Sequence, residues 1–411
     1  MTQPVGARGT MRSAVALVAA LAALLAFAPF ASATSDPVAS GTTTITLNKG
    51  LFKKLKKYGI KVLKLSPATV KSRRVTLPVS GGSLDPISGA GTLEHSGGIK
   101  LKAGKKSAAI RSLVLETSTG ALNAKVAGKN MKLASVRGLT IARNGFGANV
   151  SIGRLKLTGK AAKQLNKKLG FAGKKNKGKG KNHKRAAASK AVRPPFKGNQ
   201  NLGASTSETQ PKTVAILPGG KANLLTNEAT VKKFVLPPPN GDLVKIEAIS
   251  PTEEEKIANP FTPVLKFPIS GGSIAPNASS GIVQTSGGVR LVQDLGASGK
   301  TTMTLGNIWV DLGAKTATVE VVVESTISTQ LNLGNLGRSS IADLNLTGAV
   351  IKSDPSAHTV TVENAVATLQ VVTAETLNSV FGAPWDATMT EHPKFAAGDG
   401  LGTFSFTVQT Q

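Results

Sequence analysis

Few side chains in this chain of 411 residues could carry out chemistry. The absence of cysteine excludes disulfides, thiolate nucleophiles and thiolate metal ligands. The four histidines, at positions 95, 183, 358 and 392, are far apart, and no pair has the spacing of helical metal ligands. Tyrosine occurs once, as Tyr58. We therefore expect no metal site built from a cluster of such side chains.

Enzyme motifs are also missing. There is no Gly-x-Ser-x-Gly nucleophile turn. The triplet Gly299-Lys300-Thr301 resembles the end of a phosphate-binding loop, but Asp294 stands where that loop needs its first glycine. Asp85 and Glu94 are candidate carboxylates for acid–base work. Without a partner motif they do not indicate a reaction, and the sequence predicts a binding protein with no catalytic residues.

An internal repeat organises the chain. Residues 78–101 match residues 268–291 at a constant offset of 190, with 11 of 24 positions identical. Asp85 and Glu94 fall on Ala275 and Gln284 in the second copy, so the repeat does not preserve a carboxylate pair. His95 falls on Thr285. The Ser-Gly-Gly turns are the best-preserved feature, and they suit either a ligand loop or tight turns that only glycine allows.

Both copies have the pattern of strands followed by a short helix. Alternating apolar residues predict strands over 110–116, 122–126 and 150–157, and over 309–311, 318–323 and 359–372. A helix carrying Leu-Asn then ends at Gly170 or Gly382. A last strand closes the second copy near Gly398 to Val408, with no equally clear counterpart in the first. We expect a mainly β fold of two homologous sandwich-like or barrel-like domains, each with one or two short helices.

The predicted boundaries are a signal peptide at 1–33, a first repeat at 41–172, a linker at 173–211 and a second repeat at 212–411. Arg8 and Arg12 precede an apolar run from Ala14 to Phe30, and Ala31-Ser32-Ala33 has the small-x-small pattern of a cleavage site. The alternative is a retained membrane anchor. The linker is rich in Lys and Gly, lacks apolar residues at its centre and is predicted to be disordered. We expect a secreted protein of the cell envelope.

The charge is concentrated in one half. Residues 1–200 contain 38 Lys and Arg against 4 Asp and Glu, a net charge of +34. Residues 201–411 contain 13 against 18, a net charge of −5. Lys49 to Val62 is basic and amphipathic, which fits the first helix of a domain or a peripheral contact with an anionic membrane. For an exported protein, the expected polyanions are wall polymers and acidic polysaccharides; nucleic acid is not an expected partner.

The order and spacing of these blocks resemble a known family, the haem-transport-associated (HtaA) domains of exported actinobacterial proteins. The resemblance rests on Pro78 to Leu101, Leu157 to Gly170, Pro268 to Leu291, Thr373 to Gly382 and Gly398 to Phe406. It implies extracytoplasmic β-rich domains, which in some members bind haem through a tyrosine backed by a histidine.

Two functions follow from this resemblance and from the charge. In the first, the first repeat binds haem, with Tyr58 as axial ligand and His95 beside or opposite it. The second repeat has no tyrosine and has Thr285 at the histidine position, so the site would belong to the first repeat. In the second, the protein has lost haem binding and adheres to anionic wall polymers by charge. Tyr58 would then pack from a helix onto the sheet, and His95 would fill a turn.

Overall fold

The computed structural model describes residues 35–171, 193–234, 244–259, 261–381 and 395–411. The predicted signal peptide and the Lys-rich centre of the predicted linker lie outside these ranges. Among the described residues, no helix is long and apolar enough to cross a membrane. Strands dominate, and they form two closed, eight-stranded, barrel-like sheets with a few short helices.

The first barrel contains strands β1 to β10 and helices α1 and α2. Its strands are β1 (Asp36–Leu47), β2 (Ile60–Leu65), β3 (Thr69–Lys71), β4 (Arg74–Leu84), β5 (Gly91–Ala103), β6 (Lys106–Glu116), β7 (Ala121–Val126), β8 (Lys129–Asn144), β9 (Gly147–Leu157) and β10 (Asn201–Pro211). Its helices are α1 (Lys49–Lys57) and α2 (Gly159–Leu169).

The second barrel contains strands β11 to β23 and helices α3 and α4. Its strands are β11 (Val214–Ala215), β12 (Lys221–Thr226), β13 (Lys245–Ile249), β14 (Glu253–Glu255), β15 (Val264–Ile274), β16 (Gly281–Thr285), β17 (Gly288–Asp294), β18 (Lys300–Asp311), β19 (Thr316–Ser325), β20 (Gly334–Asn345), β21 (Val350–Asp354), β22 (Thr359–Leu369) and β23 (Gly400–Gln409). Its helices are α3 (Glu228–Lys232) and α4 (Val371–Phe381).

The two barrels have the same order of strand pairing. The first closes through β1-β4-β5-β6-β7-β8-β9-β10 and back to β1, and the second through β12-β15-β16-β18-β19-β20-β22-β23 and back to β12. Every pairing is antiparallel, and in each barrel the first long strand pairs with the last. Eight strands suffice to close a barrel whose interior is filled by side chains or holds one small ligand. The mainly β, two-domain expectation is confirmed.

The predicted linker boundary is wrong. Residues 201–211 form β10, which pairs with β1 on one side and β9 on the other, and so closes the first barrel. β11 begins at Val214, leaving only Lys212 and Thr213 between the barrels. In the sequence, the Lys-rich run therefore falls between α2 and β10, two elements of the first barrel. Strand β10 is the counterpart of β23, the last strand of the second barrel. The sequence did not predict it because it follows the Lys-rich run and was included in the predicted linker.

Smaller differences concern local elements. Helix α1 ends at Lys57, and Val62 lies on β2 rather than on the predicted amphipathic helix. The strand predicted over 359–372 ends at Leu369, because α4 begins at Val371. The first Ser-Gly-Gly of each repeat is not a turn. It lies within β4 or β15 at a register shift, where a Cβ on Gly82 would clash with the Thr92 carbonyl oxygen.

Each barrel has its own apolar core, and the two meet at a small junction. Phe146, at the β8–β9 turn, packs into the core of the second barrel and lies edge-on to His358, with ring centroids 6.5 Å apart. The backbone amide of Ala215 donates to the Asp36 carboxylate at 3.2 Å. Burial raises the pKa of Asp36 to about 6, although this hydrogen bond and the nearby Arg143 oppose the shift.

Candidate functional site

His95 lies inside the first barrel, on β5, with 6% of its surface exposed. Its Nδ1 is 3.1 Å from the Leu113 carbonyl oxygen, which can only accept, so Nδ1 carries the proton. Its Nε2 therefore accepts from the Thr43 hydroxyl at 2.7 Å, and Thr43 lies 2.7 Å from the Ser207 hydroxyl. Burial lowers the pKa of His95, opposed in part by the Leu113 carbonyl. Both ring nitrogens thus have protein partners, and the lowered pKa favours the neutral imidazole.

Tyr58 lies in a different environment, at the C-terminal cap of α1. Its hydroxyl donates to the Arg193 carbonyl oxygen at 2.6 Å, and its ring stands edge-on to Phe171 with centroids 5.6 Å apart. The small cavity beside His95 is lined by lumen residues and not by Tyr58. The structure therefore does not bring Tyr58 and His95 together in one pocket, and both polar ends already have protein partners.

The hydrogen-bonded chain of His95, Thr43 and Ser207, termed the polar line, has no copy in the second barrel. Thr43 pairs with Ser207 across β1 and β10, whereas Ala222 pairs with Phe406 across β12 and β23. Thr285 replaces His95 and keeps one interaction, because its hydroxyl donates to the Ile308 carbonyl oxygen at 2.7 Å. The shared function of this position is to satisfy a buried carbonyl, and the imidazole adds the link to Thr43.

The Leu-Asn helix motif has a structural function in both barrels. The Asn166 side chain donates to the Phe196 carbonyl at 2.8 Å and accepts from the Phe196 amide at 3.2 Å. Asn378 makes the same pair of bonds with Phe395, both at 2.8 Å. Each amide clamps the chain just before the closing strand. Sequence reasoning found the motif but not this function.

The end of the first barrel that carries α1, α2 and the hairpins at 103–106 and 126–129 is termed the helix end. Its exposed residues include many lysines, and one shallow groove there is lined by three cations, namely Lys100, Arg111 and Lys168. The carboxylates Glu94 and Glu116 lie on the same strands, β5 and β6, but toward their other ends. All ion pairs among the described residues lie in the second barrel, between residues 221 and 399; none lies in the first.

The second barrel encloses a cavity of about 270 Å³, whereas the lumen of the first holds about 70 Å³. At three wall positions the second barrel has a smaller side chain than the first. Leu47, Leu51 and Leu122 line the first lumen, and their counterparts in the second are Thr226, Thr230 and Ala317. Leu122 and Ala317 are matched by pairing, since Leu122 faces Leu115 and Ala317 faces Val310. Thr226 and Thr230 flank the capping residue Asn227 as Leu47 and Leu51 flank Asn48.

At two other wall positions the second barrel has a larger side chain than the first. Met303 of the second barrel replaces Ala108, and Phe404 replaces Ser205. The cavity of the second barrel nevertheless remains larger, so its volume depends on the whole wall and not on one substitution.

The covering helices also differ between the barrels. Helix α2 packs against β5, β6, β7 and β8, whereas the main strand contact of α4 is with β20. Strand β20 pairs with β22 only over residues 342–345, so the same edge from 334 to 340 has no strand partner among the described residues. Leu336 and Val372 line the cavity from opposite sides of this edge, yet 45% and 69% of their surfaces are exposed. The cavity therefore opens between β20 and α4.

No group of three or more His, Asp or Glu side chains among the described residues could hold a metal ion. Within the described ranges, the predicted pair Tyr58 and His95 do not line a common pocket, and their role as iron ligands stays a prediction.

Comparison with known proteins concerns the fold alone. No family model matches the sequence, and the search of curated proteins gave no match. Among solved structures, the chain is similar to the C-terminal domain of HtaA from Corynebacterium glutamicum, with 14% identity and a TM-score of 0.32 over 48% of this chain and 99% of that domain. It is also similar to a histidine-to-alanine variant of that domain in a domain-swapped dimer, with 14% identity and a TM-score of 0.26 over 40% of this chain and 83% of that one. The chain is thus similar to an HtaA domain.

Proposed function

We propose that this protein is a non-enzymatic binding protein of the cell envelope, whose first barrel holds anionic polymers at its helix end. The observation that carries the proposal is the separation of ion pairs between the barrels. Most described cations of the second barrel form ion pairs with carboxylates, whereas no described cation of the first barrel forms an ion pair. Unpaired lysines and arginines at one end of a barrel form a field that attracts any polyanion.

The strength of such binding comes from number rather than from any one contact. A single exposed ion pair is worth about 0–1 kcal/mol, because water and side-chain entropy offset most of the attraction. A polymer that touches many cations also releases its condensed counterions, and its affinity then falls steeply with salt. Teichoic acids and acidic polysaccharides supply this chemistry at a cell wall. The groove of Lys100, Arg111 and Lys168 is the proposed centre of the contact.

The test is retention of the full chain on heparin as a function of salt. Replacing Lys100, Arg111 and Lys168 together by glutamine should lower the slope of log affinity against log salt by about 2–3, near one per contact. A matched control replaces Lys256, Lys300 and Lys315, which are exposed lysines of the second barrel without an ion pair, and should change little. Equal losses in the two triple variants would show that only net charge matters and would remove the assignment to the helix end.

Haem binding by the first barrel stays a prediction. It requires the Tyr58 hydroxyl to exchange its bond to Arg193 for iron, since the phenol is now committed to that carbonyl. Haem titration of the full chain, followed by the Soret band, tests it. Tyr58→Phe keeps the ring packing on Phe171 and removes the ligand oxygen, so a Soret change that depends on Tyr58 must disappear. A change that survives in the double variant Tyr58→Phe, His95→Ala excludes this pair as the ligands.

A further inference from the structure

We propose that the second barrel binds a neutral, mainly hydrocarbon small molecule in its lumen, which enters between β20 and α4. This site is separate from the helix end of the first barrel, and neither proposal depends on the other. Three features of the second barrel support it: the size of the cavity, the lack of charge in its wall and the apolar residues exposed at its opening.

The size of the cavity is well above that of a packing defect. Protein interiors are close-packed, with few voids larger than a water molecule. An apolar engineered cavity of about 150 Å³ already stays dry and binds benzene. The cavity here is about 270 Å³. It therefore has room for a molecule clearly larger than benzene, such as a fused aromatic ring system or a medium-length alkyl chain.

The wall selects for an uncharged ligand. Among the described residues that line the cavity there is no Asp, Glu, Lys, Arg or His. The deep hydroxyls of Thr226 and Thr230 are already satisfied, because they donate to the carbonyls of Pro263 and Gly400 at 3.0 and 2.5 Å. A buried charge without a partner is very costly. A carboxylate or an ammonium group would therefore have to remain outside the lumen.

The opening provides the few polar groups that such a ligand could use. Ser339, Ser340 and Thr373 lie at the β20–α4 edge of the cavity, and their hydroxyls make no hydrogen bond within the described part of the chain. A ligand with one hydroxyl or carbonyl group can hydrogen-bond there while its hydrocarbon part fills the lumen. Ligand pockets commonly combine apolar walls with a small number of such polar groups.

Exposed apolar residues mark the same opening as an entry route. Val372, in the first turn of α4, is 69% exposed although it lines the cavity. Val371 and Leu336 beside it are 57% and 45% exposed. The residues that begin α2 in the first barrel are Gly159 and Lys160, which present no apolar surface of this size. The apolar rim is therefore specific to the barrel with the larger lumen.

The experiment is a titration of the full chain with N-phenyl-1-naphthylamine, a neutral probe whose fluorescence rises in apolar surroundings. We expect a saturable rise at one site per chain. Ala317→Leu restores the leucine of the first barrel in the second and should weaken binding at least tenfold. Ala314→Leu makes the same change on the exposed β18–β19 hairpin and should leave binding unchanged. Decanol should displace the probe more strongly than decanoate and decyltrimethylammonium, whose charged groups must stay outside the lumen.

A second variant keeps the test valid if Ala317→Leu perturbs folding. Val372→Asp places a charge at the exposed rim, where it leaves the core untouched, and should also weaken probe binding. The absence of a saturable signal, or equal binding in both variants and in the wild type, would overturn the proposal. Displacement by decanoate as strong as that by decanol would overturn the assignment of a neutral ligand. Heparin retention should be unaffected by either variant, so failure here is distinguishable from failure of the proposed function.

Discussion

The two barrels share one strand order and differ in where they leave interactions unsatisfied. The first fills its lumen with leucines and a hydrogen-bonded polar line, and leaves its surface cations unpaired. The second pairs most of its described surface cations with carboxylates and leaves its lumen partly empty. Closure of the sheet therefore determines neither how the lumen is filled nor how the surface charges are paired. In this protein the first copy of the fold presents surface cations without ion pairs, and the second copy contains a cavity.

The largest effect should come from exchanging the matched lumen residues. Leu122→Ala deletes a side chain that is 5% exposed in the filled barrel and should lower the free energy of unfolding by about 2–5 kcal/mol. Ala317→Leu adds the same atoms where a cavity exists and should leave stability unchanged or raise it. Urea unfolding of the full chain measures both. A loss of similar size in the two variants would show that the second lumen has no usable space.

A pH effect should come from the junction between the barrels. The pKa of Asp36 is raised to about 6 in the folded state, above its ordinary value of 3.8, so the folded chain holds the proton more tightly than the unfolded chain. Stability should therefore fall as pH rises from about 4 to 6 and then stay constant. Asp36→Asn should remove this slope and stabilise the chain at pH 7 by up to about 3 kcal/mol, because a tenfold change in proton affinity corresponds to about 1.4 kcal/mol. Thermal unfolding at pH 4, 5, 6 and 7 checks it; a slope of unchanged size in the variant would exclude Asp36 as its source.

The smallest of the three effects should come from the asparagine clamps. Asn166→Ala leaves a buried amide and carbonyl of Phe196 without their partner and should cost about 1–3 kcal/mol. Asn378→Ala should cost less, because Asn378 is only half-buried and water can replace it. Hydrogen exchange of the Phe196 and Phe395 amides, which should quicken in the respective variant alone, gives the readout. Equal costs would mean that burial does not distinguish the two clamps.

The sequence predicts what is local or repeated. The match of 78–101 with 268–291 and the left-handed cap at Gly170 depend on residues close in the chain, and both are found in the structure. The closing strand of the first barrel was missed, although Phe196 and Leu202-Gly203 match Phe395 and Leu401-Gly402 at a constant offset of 199. Composition outweighed that signal, because the preceding segment is full of lysine.

The candidate sites were harder to predict than the fold. The sequence named Tyr58 and His95, but it could not show that Arg193 and Thr43 already bond their polar atoms. The cavity is not readable either, since it depends on how Ala317 and Thr230 pack against residues far away in the chain. Spacing along one strand predicts which face a residue occupies, whereas a void is a property of several strands at once.

The pairing of the first strand with the last also determines when, during synthesis of the chain, the first barrel can close. β1 pairs with β10, and the contact between Thr43 and Ser207 spans 164 residues. At a translation rate of about 5–20 residues per second, β1 waits about 8–30 s for this partner. During that time one edge of β1 is open to incorrect pairing, and an edge of β9 is also open once β9 has been made. The last part made before the ring can close is the Lys-rich segment, and the second barrel begins two residues after closure. All strands of the first barrel are thus made just before synthesis of the second barrel begins.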